Sequence, residues 1–361
     1  MFASLRLHTQ QLRQDYRDLA PPDVVVYPHP PGPVEAARMI QRSHPALIKN
    51  FSPLTSQGIE RDWTDPDTYN SICSGEVTIA LTDDGLADSV RVDEDGLGMF
   101  VKPLEEKMPM STFQTRLVNE TSTQDPVLYL QSQDGNLLRP SPNTDSDQLS
   151  PFRPYFLPDI TWMEEAIGAG AEAVNLWIGN SRARTSLHHD PYENIYHVLS
   201  GEKTFLLAAP IEGLWLDQQF YPPATLHRTS NGITPVLDPE PSHDVPWVAS
   251  SRLPQGVKTM EVTVHEGETL YLPNRWWHAV SQTEGRLGIT VAVNYWYPAE
   301  IRPERYAFER LARRVARLGG MRGVIPPPED KEENKYTNES ESEEWDSEIF
   351  SEDEWSPGGY R

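Results

Sequence analysis

Cysteine is nearly absent from this chain. Cys73 stands alone in 361 residues, so no internal disulfide and no thiolate-built zinc site can form. A single thiol of this kind reads as a small, buried or half-buried apolar side chain. Long apolar runs are missing too. Nothing approaches the roughly 18 residues of a spanning helix, and the N-terminus has no hydrophobic leader core. The expectation is a cytoplasmic and/or nuclear protein without membrane attachment, in which matches such as Asn50-Phe51-Ser52 carry no glycan. Positive charge is scarce: 31 Lys and Arg face 54 Asp and Glu, a net charge of −23. That balance argues against nucleic acid as a partner, because phosphate binding needs basic surface. It suits a basic protein segment, and it equally serves plain solubility. Apolar residues reach only 37% while prolines number 33. Proline-rich loops and at least one unfolded stretch are therefore expected around a folded body.

The charge is uneven. Residues 329–361 hold thirteen acidic residues against three basic ones. With Trp345, Phe350 and Trp355 among them, this tail reads as a disordered acidic end or a short interaction segment. Residues 302–322 carry seven Arg and two Glu. Pro303 opens a helix there and Gly319-Gly320 closes it. Its apolar stripe, Leu311, Val315 and Leu318, suits a core face or a homodimer contact equally.

Helical spacing marks 2–19 and 34–43, with a further helix over 111–118. Short strands are expected at 46–48, 76–81 and 127–130. From 173 onward, short apolar runs separated by turns follow one another at 173–178, 204–209, 261–264, 269–272, 279–281 and 287–293. Many short strands without helical interruption predict a sandwich or barrel. Residues 139–158 and 210–257 read as loops, the second a long Pro/Gly-rich insertion. Four regions result: 1–138, N-terminal helices and strands packing on the core; 139–301, a β-barrel with insertion 210–257; 302–322, a C-terminal helix; and 323–361, a disordered acidic tail.

The chemistry-bearing pattern is His188-His189-Asp190 with His278 far downstream, in Leu272-Pro273-Asn274-Arg275-Trp276-Trp277-His278. His-x-Asp followed at long range by one His is the ligand set of the 2-His-1-carboxylate triad, which holds non-heme Fe(II) and leaves coordination positions open. His188 and Asp190, two residues apart, leave the same face of an extended chain, and His189 the other. A lone His is more often a packed or surface residue; the pairing of His-x-Asp with a second His beside a strand makes this one specific. Zinc is also held by His and Asp, so the choice of iron depends on a keto-acid site nearby. Lys203, after the Ser200-Gly201 turn, can offer an ammonium to a carboxylate. Thr185 and Tyr129 can add hydroxyl donors. Asn194 and Asn294 sit in strand-like contexts where a buried amide needs partners. Each of these, taken alone, would be read as ordinary packing or a solvated surface group.

The residues resemble the JmjC (jumonji C) family of Fe(II)- and 2-oxoglutarate-dependent oxygenases. The resemblance is to its small protein hydroxylases, and among these to the lysyl hydroxylase type acting on developmentally regulated GTP-binding proteins. The carrying segments are 173–179, 185–194, 198–203, Leu270-Tyr271-Leu272-Pro273 with Trp277-His278, and 293–297, with 77–90 upstream. They cover most of residues 1–318 and not the acidic tail. The resemblance implies a mainly β fold, a double-stranded β-helix (cupin, or jelly-roll) core with flanking N- and C-terminal helices. It implies His188, Asp190 and His278 as iron ligands. It implies Lys203, Thr185 and Tyr129 as the grip on the distal carboxylate of 2-oxoglutarate, with Asn194 and Asn294 near its keto end and O2 as the second cosubstrate. The implied activity is dioxygenase hydroxylation of a protein, on lysine, with a GTP-binding protein among the partners the resemblance suggests. Trp276, Trp277 and Trp296 are placed to keep the site dry, a role packing would explain as well. The alternatives are a histone lysine demethylase, disfavoured by the absence of an obvious chromatin-reading or zinc module, and a non-catalytic scaffold for a basic partner. A peptidase reading ranks last, for want of a nucleophile motif.

Overall fold

Eight strands from residue 173 onward build the barrel, most of them from apolar runs rich in β-branched and aromatic residues: β1 Ala173–Gly179, β2 Arg184–His188, β3 Glu193–Ser200, β4 Glu202–Ala208, β5 Thr259–His265, β6 Thr269–Leu272, β7 Trp277–Thr283 and β8 Thr290–Tyr297. The computed structural model describes residues 2–325 apart from 120–121, 124, 132–134, 136, 139–146, 231, 240–242 and 250–252. β1, β8, β3 and β6 lie side by side in one sheet, and β2, β7, β4 and β5 in a second. Neighbours in both are antiparallel. That order is a jelly roll, closing two sheets around one interior. Tyr196, Val198, Phe205, Leu207, Val262, Val264, Leu270 and Leu272 form the apolar part of that interior.

The N-terminal third extends and backs this frame. Strand Ala46–Ile48 adds to β6, and Val25–Tyr27 pairs with it in parallel. The outer face of the larger sheet, with Val174, Leu176, Ile195, Val293 and Tyr295, packs into one cluster with Met39, Trp63, Tyr69, Phe113, Leu128, Phe152 and Met163. The helices Pro33–Arg42, Pro66–Ile72, Met110–Asn119 and Thr161–Ile167 supply the covering side chains. None of the helices among the described residues is long and apolar enough to cross a membrane.

Two loop expectations need correction. Within 139–158, a 3-10 helix covers Ser150–Tyr155, and Phe152 from it is fully buried. The insertion 210–257 is largely ordered. It carries a 3-10 helix at Pro210–Trp215 and strands Gln218–Tyr221, Pro223–Thr229, Gly232–Leu237 and Val245–Val248. Pro223–Thr229 runs parallel to Gly98–Lys102 in a separate sheet. Leu216 and Val248 cover the outer face of the smaller barrel sheet against Leu187, Ala208 and Trp277. Proline and glycine punctuate short strands here rather than abolish them. The expectation for 326–361, and that for 139–146, lie outside the described residues.

β3 is the central strand, yet the sequence pattern does not mark it. Its eight residues, Glu-Asn-Ile-Tyr-His-Val-Leu-Ser, are all buried, polar ones included. Alternation fails as a signal when both faces of a strand are covered. The C-terminal helix, Pro303–Leu318, settles which face packs inward: Ala312 and Ala316 are buried against Leu214 and Leu12. Leu311 and Leu318 stay exposed at 56% and 60%. Replacing Ile195, at the middle of β3 and fully buried, with Ala is expected to destabilise the protein by about 2–5 kcal/mol. Replacing Leu19, 90% exposed, should change stability by less than about 0.5 kcal/mol. Urea titration of both variants measures this.

Candidate functional site

The sequence pairs His188 with His278 directly across β2 and β7. β2 carries an extra residue between Thr185, opposite Val280, and His188. That bulge keeps both Thr185 and His188 on the side shared by Val280 and His278, although they are three residues apart. Leu187, displaced to the outside, joins the outer cluster. Asp190 follows just past the strand end. Ligand atoms of His188, Asp190 and His278 all lie within 4.8 Å of one another. His188 Nε2 is 3.8 Å from Asp190 Oδ1, and His278 Nε2 is 3.6 Å from Asp190 Oδ2.

Both imidazoles are oriented the same way. His188 Nδ1 lies 2.8 Å from the Ser186 carbonyl, and His278 Nδ1 lies 2.9 Å from the Trp276 carbonyl. A carbonyl only accepts, so each Nδ1 carries a proton, and each Nε2 is the ring atom turned toward Asp190. Burial, then the neighbouring His188, lowers His278 to about 4, which keeps it neutral. Two imidazole Nε2 atoms and a carboxylate converging on one point are a donor set suited to a divalent first-row metal. Trp247, from the insertion, stacks on His188 at 5.8 Å and 8°.

The loops bearing these ligands are tied together. Arg275, held at φ 64°, donates its backbone N–H to the Asp190 carbonyl at 2.8 Å. The buried Glu193 carboxylate accepts from the Tyr271 hydroxyl at 2.7 Å and from the Asn274 side chain and backbone. Burial raises Glu193, and those donors oppose the rise. Arg275 also pairs with Glu309 of the C-terminal helix. Burial alone would raise Glu309, but Arg275 and Arg313 outweigh it and hold the carboxyl below its ordinary value. His189 faces away from the ligand cluster and meets Trp277 edge-on at 4.5 Å.

Deeper in the same barrel, Lys203 is 1% exposed. Its ammonium donates to the Tyr129 hydroxyl at 3.1 Å and to the Gln282 side-chain carbonyl. No carboxylate pairs with it among the described residues, and burial lowers it from 10.5 to about 7. The unfolded chain therefore binds the proton more tightly between those two values, and this group's contribution to stability falls as pH drops through that window. A buried cation without a counter-charge fits an anionic ligand group. Gly179 makes room for this arrangement: a Cβ there would meet Tyr129 at 2.6 Å and Gln282 at 2.7 Å. Asn294 and Asn194 also meet. Asn294 donates to the Asn194 side-chain carbonyl at 3.1 Å and accepts from Trp177 Nε1 at 2.8 Å and Asn175 at 3.3 Å.

The structure thus brings together His188, Asp190 and His278, then Lys203 with Tyr129, then Asn194 with Asn294. Thr185 stands beside Val280, one inward position from Gln282 along β7, with no direct bond to Lys203 recorded. Sequence reasoning missed Gln282, Trp247, Asn175 and Trp177. Gln282 was legible in principle, four residues from His278 on the same strand face. Trp247 was not, because it sits in a segment read as loop.

Comparison with known proteins adds four findings. A family model described as a cupin-like domain matches residues 31–302. A human protein, the bifunctional peptidase and (3S)-lysyl hydroxylase JMJD7, is 34% identical over 84% of this chain and 93% of its own length. The lysine-specific demethylase JMJ32 of Arabidopsis thaliana is 34% identical over 84% of this chain and 89% of its own. The JmjC domain-containing protein E of Dictyostelium discoideum is 28% identical over 72% and 79% respectively.

The donor set is expected to bind Mn(II) or Zn(II) at one site per chain. His278→Ala and Asp190→Ala should each lose that site in equilibrium dialysis, while His189→Ala should retain it.

Proposed function

The chain belongs to the cupin-like JmjC family, and from that premise we propose that it is an Fe(II)- and 2-oxoglutarate-dependent dioxygenase that hydroxylates lysine in a protein substrate. The observation that supports this reading best is the pairing of a His-Asp-His donor set with an uncompensated buried ammonium in one barrel. His188, Asp190 and His278 hold the metal. When bound, the metal and 2-oxoglutarate supply oxygen activation coupled to release of succinate and CO2. Lys203 neutralises the distal carboxylate of 2-oxoglutarate as a point charge, with the Tyr129 and Thr185 hydroxyls as further donors. Asn194 and Asn294 serve the keto end. The apolar barrel wall excludes water and confines the reaction to the bound side chain.

The partner is a protein, and a GTP-binding protein is the specific candidate carried by the sequence resemblance. A net charge of −23 favours a basic segment as the docking element. The exposed Leu311 and Leu318 of the C-terminal helix offer a homodimer contact. A demethylase reading is kept because the Arabidopsis relative with that name is as similar as the human hydroxylase.

Mass spectrometry of candidate protein substrates, incubated with Fe(II) and 2-oxoglutarate, should show a gain of one oxygen on lysine. A gain that survives His188→Ala would sink the assignment, and formaldehyde release from methyl-lysine would favour the demethylase. The affinity for 2-oxoglutarate carries its own signature. Lys203 sits near neutrality at about 7, and a bound carboxylate restores its charge. Binding must therefore take up a proton above that pH, and Kd should rise by about tenfold per pH unit there. Calorimetry in buffers of different ionisation enthalpy reads the uptake, and Lys203→Met should abolish it.

A further inference from the structure

Trp296 holds a buried donor without a hydrogen-bond partner among the described residues. It lies on β8 two residues beyond Asn294 and therefore on the same inward face. It pairs across the sheet with Asn194 on one side and Ala173 on the other. Its side is the end of the barrel that bears the metal-ligand set, since β3 starts there just after Asp190. Trp296 is 9% exposed, yet its indole Nε1 has no hydrogen-bond partner among the described residues. Tyr192, two residues past Asp190, stacks flat on the ring at 5.0 Å and 12°. The ring is thus fixed by packing while its N–H is left unmatched. Native structures rarely leave a buried N–H without an acceptor, because it loses water and gains nothing in return.

Trp177, the neighbouring indole inside the barrel, is different. Its Nε1 donates to Asn294 and so belongs to the amide network. Lys203 and Tyr129 lie toward the opposite end of the interior, at the start of β4. Along β8 the inward positions run from Asn294 to Trp296, so Trp296 is the outermost of them at the mouth. An acceptor arriving from outside meets it level with Asn194 and before Asn294.

We propose that Trp296 is a substrate-positioning residue whose indole N–H donates to a peptide carbonyl of the protein segment entering the barrel, with Tyr192 holding the ring in place. The inference rests on the reading of the chain as a protein hydroxylase and deepens it. One hydrogen bond to the main chain sets how far the target side chain enters, and the flat Tyr192–Trp296 stack walls the space that side chain occupies.

The test uses the full chain loaded with Zn(II) and 2-oxoglutarate, with its ten tryptophans labelled at the indole nitrogen. The Trp296 signal is assigned as the one lost in Trp296→Phe. The probe is Nα-acetyl-lysine-N-methylamide, which carries a peptide carbonyl on each side of the side chain. Its addition should move the Trp296 indole proton downfield. Trp296→Phe should weaken probe binding by about fivefold, the effect of one neutral hydrogen bond, and leave the 2-oxoglutarate affinity unchanged. The norleucine analogue separates the two readings. An equal shift with it upholds the carbonyl contact while removing the support for lysine as the target. A Trp296 proton unmoved by both probes, or one moved fully by 2-oxoglutarate before any probe is added, overturns the proposal. The spectra of the unmodified chain decide this even where Trp296→Phe folds poorly.

Discussion

Two imidazoles and a carboxylate can face one point only if chain segments far apart in sequence are fixed to each other, and the bond from the Arg275 amide to the Asp190 carbonyl makes that connection. It joins the loop after β2 to the loop before β7 at the positions flanking the ligands. The surrounding structure protects it. Glu193 holds Asn274 and Tyr271 from one side, and Glu309 of the C-terminal helix holds the Arg275 side chain from the other. Arg275 adopts a left-handed backbone to reach this position, a conformation that costs a non-glycine residue of order 1 kcal/mol and persists only where neighbours enforce it. The bulge in β2 completes the frame by turning His188 inward. The convergence of these three side chains therefore depends on ties made through the backbone and through neighbours such as Glu193 and Glu309.

The barrel interior carries a second constraint. Asn175, Asn194, Asn294, Gln282 and Lys203 are all buried. A core built for stability would place leucine or methionine at such positions, since an uncompensated buried charge is costly. The amides offset much of that cost by bonding each other in a ladder across β1, β8 and β3. Among the described residues, Lys203 has a hydroxyl and an amide carbonyl to meet its charge, and no carboxylate.

The legible part of this protein follows the same division. The clustering of His188, Asp190 and His278 could be anticipated from spacing, because metal ligation demands specific residue types and types are what a sequence displays. Strands such as Ala173–Gly179 and Thr290–Tyr297 were legible from their apolar runs. β3 was not, because its buried Glu193, Asn194 and His197 mimic a polar surface segment; each is satisfied by a partner distant in the chain, such as Thr269 for His197. The insertion at 210–257 hid Trp247 for a related reason. Its strands are short and punctuated by proline, and their pairing with residues 98–102 is set by tertiary contacts that local pattern cannot express. Leu311 and Leu318 illustrate the reverse error of pattern: a sound apolar stripe whose core-facing residues turn out to be the small Ala312 and Ala316.

These observations also bear on which metal chemistry the site serves. A hydrolytic zinc centre needs the three ligands and a single open position for water. It gives no reason for a buried ammonium deeper in the barrel, nor for a glycine at 179 that lets Tyr129 and Gln282 close around that ammonium. Methionine at 203 would pack the same space without the desolvation that drives the lysine toward neutrality. Oxygen activation with a keto acid does give such a reason, because a dicarboxylate must be chelated at one end and neutralised at the other. The group that most separates the two chemistries is therefore Lys203, rather than any of the three residues that could hold an ion.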